Sequence, residues 1–330
     1  MKFILRRLAF YLVAAWVAIT LNFFIPRALP GNPAESIAAK DPNLTPSAFK
    51  ALEQMLGGSA ASGSLWSQYV TYLGHVLTFN FGTDYQQYPA TVSQLLSNTV
   101  PWTLTLVGVA TVIAFLIGTS LGILAGWRHG GALDRSLPGL MFLQATPYFF
   151  LALVLVEIFA IELHWLPTGT GFNGATVQPG WNLPFIGSAI DHAILPALTI
   201  VLTSIAGWML QMRNVMITTI SEDYVIAAQA KGLSKRRIIY TYAARNALLP
   251  QLQGFGLALG FVVSGALVME IVFAYPGIGL LLLNAVSADD FPLMQAIFLV
   301  ITFAVLIANF LVDIIIVLFD PRVRATEGGR

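Results

Sequence analysis

The 330 residues are 57% hydrophobic and only 10% charged, with a net charge of +1 and no cysteine. Soluble domains carry about 25% charged residues, so the composition excludes an ordinary soluble protein and implies an integral membrane protein. The near-zero net charge gives no sign of a nucleic-acid partner, and the lack of cysteine excludes disulfides, thiolate catalysis and Cys-ligated metals in this chain.

A bilayer core needs roughly 20 apolar residues of helix. In chain order the sequence predicts six such spans: Leu8–Leu29, Thr99–Trp127, Leu137–Leu163, Ala193–Met212, Leu249–Ala274 and Leu293–Phe319. Lys2, Arg6 and Arg7 precede the first, but its apolar run is too long for a signal peptide and no small-x-small cleavage site follows, so it is expected to be a retained anchor. Between spans one and two, Pro30–Asn98 is rich in Gly, Ser, Pro and Ala. It predicts a small external insert with a helix over Ser47–Leu56, a flexible Gly57–Gly63 stretch and an aromatic helix over Leu65–Phe79. The expected division is a first helix (1–29), an insert (30–98) and a five-helix core (99–330) holding a loop at 213–249.

Six spans place 14 of the 17 Lys and Arg residues on one side. By the positive-inside rule that side is cytoplasmic, together with both termini. The 213–249 loop therefore faces the cytoplasm. Ser221 is a predicted N-cap, with Glu222 and Asp223 in the first turn and Lys231–Gly232 closing a helix over Glu222–Lys231. Ser234 is predicted to cap a second helix over Lys235–Asn246, ahead of Pro250. The first helix is expected to expose Ala227, Ala228 and Ala230 beside Tyr224 and Val225. Such a smooth helix can seat in a groove on a partner protein, or lie on anionic lipid as an amphipathic interfacial helix.

Asp223-Tyr-Val-Ile-Ala-Ala-Gln-Ala-Lys-Gly-Leu233, running on to Arg245-Asn-Ala-Leu-Leu-Pro250, resembles the cytoplasmic loop of ABC importer permeases, in particular the peptide-importer branch. Leu29-Pro-Gly-Asn-Pro33, Asn98-Thr-Val-Pro-Trp-Thr-Leu104, Leu166-Pro-Thr-Gly169, Glu270-Ile-Val-Phe-Ala-Tyr-Pro-Gly-Ile-Gly279 and Asp320-Pro-Arg-Val-Arg324 extend the likeness over nearly the whole chain. Ile226 departs from it, standing where many members carry a Glu. The resemblance implies an all-α type I ABC importer transmembrane domain, a non-catalytic half of a translocation path. It further implies a second homologous permease, two cytoplasmic ATPase subunits or domains holding ATP and Mg, and an extracytoplasmic binding protein. Di- or oligopeptides are the leading cargo, with oligosaccharides such as cellobiose or nickel complexes as the alternative; a stand-alone carrier is a further one. Asp223, Tyr224, Ala227, Ala228, Ala230, Lys231, Gly232 and Leu233 are the expected ATPase-coupling residues.

The sequence itself contains no G-x-x-x-x-G-K-[ST] phosphate loop and no metal-ligand spacing. Intramembrane acids are functional candidates by default. Glu270 and Asp313 are expected to make structural bonds, while Glu157 is a path candidate with Gln144, Gln251 and Gln253; Asn214 is a further polar position. Gly118, Gly122 and Gly126, and likewise Gly256, Gly260 and Ser264, recur every four residues and predict close helix packing. Trp165, Phe172, Trp181 and Phe185 are expected to form an interfacial aromatic belt.

Overall fold

The computed structural model describes residues 2–28, 64–84, 87, 89–260, 267–288 and 290–319. Helices joined by turns and irregular segments, the longest over 163–182, make up these residues, with one isolated bridge between Thr83 and Thr91. The elements are α1 (Lys2–Ala28), α2 (Leu65–Leu77), α3 (Val92–Trp127), α4 (Ala132–Arg135), α5 (Leu137–Ala145) and α6 (Tyr148–Leu155), which continues as a π-helical turn over Val156–Glu162. Then come α7 (Leu183–Ile220), α8 (Asp223–Ala230) and α9 (Lys235–Arg237), followed by a second π-helical turn over Ile238–Ala244. α10 (Arg245–Gly260), α11 (Leu267–Val272), α12 (Ile278–Ser287) and α13 (Phe291–Phe319) complete the order. Among the described residues four helices are long and apolar enough to cross a membrane, or five if one bent pair counts as a span. The fifth expected span corresponds to α10 and α11, with 261–266 outside the described residues, as are the expected helix at Ser47–Leu56, the Gly57–Gly63 stretch and Ser264.

Two helix starts and one bend differ from the sequence expectation for reasons visible in the local residues. α3 starts at Val92 rather than Thr99, because Thr91 closes a capping box with Gln94, its Oγ1 accepting from Gln94 N–H while Gln94 Oε1 accepts from Thr91 N–H. The helix thus begins inside the stretch 30–98 expected as the insert. α7 starts ten residues before Ala193, where the Asn182 side chain accepts from Phe185 N–H. The predicted straight helix Leu137–Leu163 is instead bent by 96° between Ala145 and Tyr148. Thr146 is extended (φ −72°, ψ 130°), the conformation that a following proline, here Pro147, imposes on its neighbour.

α3 and α7 form the most extensive helix pair among the described residues. The reason is the glycine row. A Cβ at Gly118 would lie 2.6 Å from Trp208 Cβ, one at Gly122 2.6 Å from Met209 O and Met212 Cβ, and one at Gly126 2.5 Å from Met216 Cβ. The backbones are as close as hydrogen alone permits, so the expectation of tight packing is met within this chain.

The end away from the basic loop is closed by a buried carboxyl. Glu270, fully buried, accepts from Thr103 Oγ1 (2.6 Å) and from Gly279 N–H (2.5 Å), and Thr103 Oγ1 in turn accepts from Ile278 N–H (2.9 Å). The carboxyl thus serves orphan N–H groups at the start of α12. Gly277 leaves room for it, and Gly279 lets Leu267 O approach to 2.5 Å from where a Cβ would stand. The 166–171 turn packs on the same segment, with Thr170 N–H donating to Phe273 O (2.7 Å). Trp102, Phe172, Phe185 and Tyr275 meet there as an aromatic cluster. Phe172 and Phe185 are therefore internal packing and not the expected belt, whereas Trp165 and Trp181 are exposed.

α1 lies at the edge, with Phe10, Leu12 and Trp16 exposed. It is tied to α13 at both ends. Asn22 Nδ2 donates to Gln295 O (3.0 Å) and Gln295 Nε2 to Asn22 O (2.8 Å). Asp313 accepts from Tyr11 OH (2.8 Å) and pairs with Arg7 (3.2 Å).

Replacing Gly122 with Leu forces α3 and α7 apart and lowers stability in detergent by about 1–3 kcal/mol. Gly108→Ala, where an added Cβ meets nothing within 4 Å, leaves the thermal midpoint unchanged or slightly higher. Equal midpoints for Gly122→Leu and the parent chain contradict the close contact.

Candidate functional site

The segment joining α7 to α10 turns sharply twice. Ser221 ends α7, its Oγ donating to Thr218 O (2.8 Å), so it does not cap the next helix. Glu222 takes the extended N-cap position of α8 with no side-chain cap bond. α8 closes at Lys231, and Gly232 follows at φ +70°, a left-handed conformation in which glycine carries no Cβ penalty. The second helix does not stop before Pro250. α9, the π-helical turn and α10 run on without a break, and Pro250 lies inside α10.

α8 is an eight-residue helix with two unlike faces. Val225 and Ala228 are buried in a cluster with Met212, Met216, Ile238, Ala243, Ala244 and Ala247, and Leu233 packs against it. Asp223, Tyr224, Ile226, Ala227, Ala230 and Lys231 are exposed. Val225 and Ala228 are one turn apart, so the anchoring face takes both, and the expectation that they are exposed is corrected. Ile226, at the position of the missing Glu, places an apolar side chain on the outer face at 51% exposure. Ser234, Arg236, Arg237, Tyr240 and Thr241 line a shallow basic groove beside α8.

A polar staple that sequence reasoning missed fixes the end of α7. Asp134, on the short helix α4, accepts from Arg213 Nε (2.6 Å), Arg213 Nη2 (3.2 Å) and Gly130 N–H (2.8 Å). His129 Nδ1 lies 2.9 Å from its Oδ2. The Arg213 guanidinium, then the Gly130 N–H, hold the Asp134 carboxyl well below the usual carboxylate range. The only signal in the sequence is one acid in an otherwise basic turn, Arg128–Arg135.

The four path candidates part company. Gln144 on α5 is exposed and lies over α7, its Nε2 3.0 Å from where a Cβ of Gly207 would be. Gln253 is exposed on α10. Gln251 is fully buried, and neither amide atom has a hydrogen-bond partner, so it belongs to the interior and not to an exposed path surface. Two residues along a helix turn the side chain by about 200°, which is why neighbouring glutamines have opposite surroundings. Glu157 is exposed on the π-helical turn, on the far side of the 96° bend from Gln144. Among the described residues no three His, Asp or Glu side chains group so as to hold a metal ion.

The family described as binding-protein-dependent transport system inner membrane component matches residues 118–325, more than half of the chain. The chain is 32% identical to an oligopeptide transport system permease protein of Haemophilus influenzae, over 98% of this chain and 99% of that protein. It is 31% identical to a di/tripeptide transport system permease protein of Pseudomonas aeruginosa, with the same coverages. An oligopeptide transport system permease protein of Bacillus subtilis is 30% identical over 92% of this chain and 93% of its own length.

The depressed ionisation of Asp134 carries a pH signature. The ionised, bonded carboxylate stabilises the fold above its unfolded value of about 4, and that contribution is lost as pH falls through and below that value. Asp134→Asn is expected to lower the thermal midpoint by about 2–4 °C at pH 7, corresponding to about 1 kcal/mol. The gap to the parent chain narrows as the pH is lowered below about 4. A gap that stays constant with pH contradicts the ionised staple.

Proposed function

The chain belongs to the family of binding-protein-dependent transport system inner membrane components, and from that premise we propose that it is the permease subunit of an ATP-driven importer of di- and oligopeptides. It is a multi-pass membrane protein of a non-catalytic family. The names of its relatives support peptide as the cargo. In this reading the basic end of the bundle and both termini lie in the cytoplasm. A second permease subunit completes the path, a binding protein delivers peptide to the opposite face, and lipid surrounds the exposed apolar helix faces. Two cytoplasmic ATPase subunits or domains hold ATP and Mg.

The observation that carries the proposal is the two-faced helix α8. Its inner face, Val225 and Ala228, is locked into the same cluster as Met212 and Met216 of α7. Its outer face offers Tyr224, Ile226, Ala227 and Ala230, a small apolar surface with Asp223 and Lys231 at its ends. A helix held this way can take a push from a docked subunit and pass it to α7. Lipid contact alone gives no reason for a glycine-turned helix anchored on one side. Asp223, Tyr224, Ala227, Ala230, Lys231 and Gly232 form the proposed docking surface, with Ala228 and Leu233 as the anchor beneath it.

Purification of the tagged chain from its native membrane is expected to bring down an ATPase subunit and a second permease; recovery of neither refutes the importer reading. Gly232→Val strains a left-handed residue by about 1–2 kcal/mol and tilts α8. It is expected to lower peptide uptake per ATP hydrolysed by about tenfold in proteoliposomes, a loss of about 1.4 kcal/mol in coupling. Unchanged uptake per ATP shows that α8 has no coupling role.

A further inference from the structure

The face of α7 that looks away from α3 is polar. Gly207, Gln211 and Asn214 follow one another at four and three residues and so share one face. Met212 and Met216, which seat against the α3 glycines, lie about 140–180° round the helix from Gly207. Gln211 and Asn214 are exposed. Helix α5 flanks the stripe on one side, with the Gln144 amide lying over Gly207. Helix α10 flanks it on the other, where the Gln211 amide lies over Gly254, its Nε2 3.4 Å from where a Cβ would stand. The lower end of the stripe is fixed, since Asn214 Oδ1 accepts from Arg213 Nη1 (3.0 Å), and Arg213 is held by Asp134.

Carboxamides turned toward hydrocarbon have no partners, so a stripe of them at the surface of an apolar helix faces either water or another polar group. Two features favour a path. Glycines at 207 and 254 make room for the Gln144 and Gln211 amides, which gathers the carboxamides between α5, α7 and α10. The stripe is also uncharged, and each carboxamide both donates and accepts, as a peptide bond does.

We infer that the Gly207–Gln211–Asn214 stripe, with Gln144 and Gly254 at its flanks, lines the exit of the translocation path and hydrogen-bonds the main chain of the passing peptide. Main-chain recognition of this kind is indifferent to cargo side chains, and it lies in the half of α7 nearest the coupling helix. The inference rests on the peptide reading proposed above. Gln211 is its central residue.

Because the chain has no cysteine, Gln211→Cys introduces a single thiol. The test uses the complete transporter in proteoliposomes, with partner thiols blocked, and a charged, water-soluble thiosulfonate as probe. Leu116→Cys, at an exposed apolar site on α3, is the control. The expected result is that Q211C reacts, L116C does not, and peptide-loaded binding protein with ATP slows the Q211C reaction. Gln211→Leu is expected to cut peptide uptake about fivefold, the loss of about one hydrogen bond, at normal assembly by co-purification. Gln211→Asn, which keeps the amide, restores most of it. A Q211C thiol as inert as the control, one reactive in the isolated chain but shielded in the complex regardless of peptide, or unchanged uptake in Q211L overturns the inference. A parent complex that moves no peptide refutes the cargo reading instead, and the labelling pattern then still decides whether the stripe faces water.

Discussion

The contact on which the rest of this structure depends is the glycine seam between α3 and α7. Each glycine inside a helix costs about 1 kcal/mol relative to alanine, so three in one row need compensation. Here it comes from close packing, with Trp208, Met209, Met212 and Met216 set directly on the α3 backbone at Gly118, Gly122 and Gly126. Dispersion between close-packed atoms is the force available where lipid removes the hydrophobic drive for helices to associate. The seam fixes both the position of α7 and its rotation. Everything assigned to function hangs on that rotation, because it decides which face of α7 is left free.

At the opposite end a second constraint sets the geometry. The segments Leu166–Gly169 and Glu270–Gly279 lie a hundred residues apart in sequence yet form one structure. A Cβ at Gly169 would meet Phe273 O at 2.5 Å, and one at Gly171 would meet Pro276 Cγ at 2.6 Å. Glu270 stays buried because Thr103 and the α12 N-terminus supply it with donors. Removing that carboxyl leaves buried donors unsatisfied, which is more costly than never having had them. The motif is thus a knot joining α3, α11 and α12, and it holds the α3–α7 pair at the end remote from α8.

Much of this was legible in the sequence. Apolar runs gave the helices, four-residue glycine spacing gave the seam, and Lys231–Gly232 gave the end of α8. What was not legible turns on effects that a hydropathy window does not register. Pro101, Pro196 and Pro250 are absorbed inside helices, whereas Pro147 breaks one, because Thr146 before it is extended. Proline alone does not decide between the two; the surrounding packing does. Gln251 and Gln253 read alike as polar residues, yet one is interior and the other exposed, a matter of helix rotation that only the neighbours of α10 determine. Ala228 read as surface because alanine fits either face. The Asp134–Arg213 pair spans 79 residues, and nothing local to Asp134 announces its partner.

The arrangement also explains how a small surface helix can act at a distance in the proposed importer. Met212 and Met216 each have two contacts of consequence, one with the α3 glycines and one with the cluster that anchors Val225 and Ala228. Displacing α8 therefore cannot move those side chains without moving α7, and α7 cannot slide along α3 without lifting methionines out of glycine notches. Packed interfaces of this kind switch between discrete seatings and do not deform continuously. The Asp134–Arg213 staple pins α7 to α4 close to the part of α7 that carries Met212 and Met216. Any rotation of α7 carries the polar stripe with it, because Gln211 and Asn214 lie on the same helix as Met212 and Met216. In the proposed importer, coupling contact and path are then two faces of one helix, and the glycine seam on α3 fixes how that helix is turned.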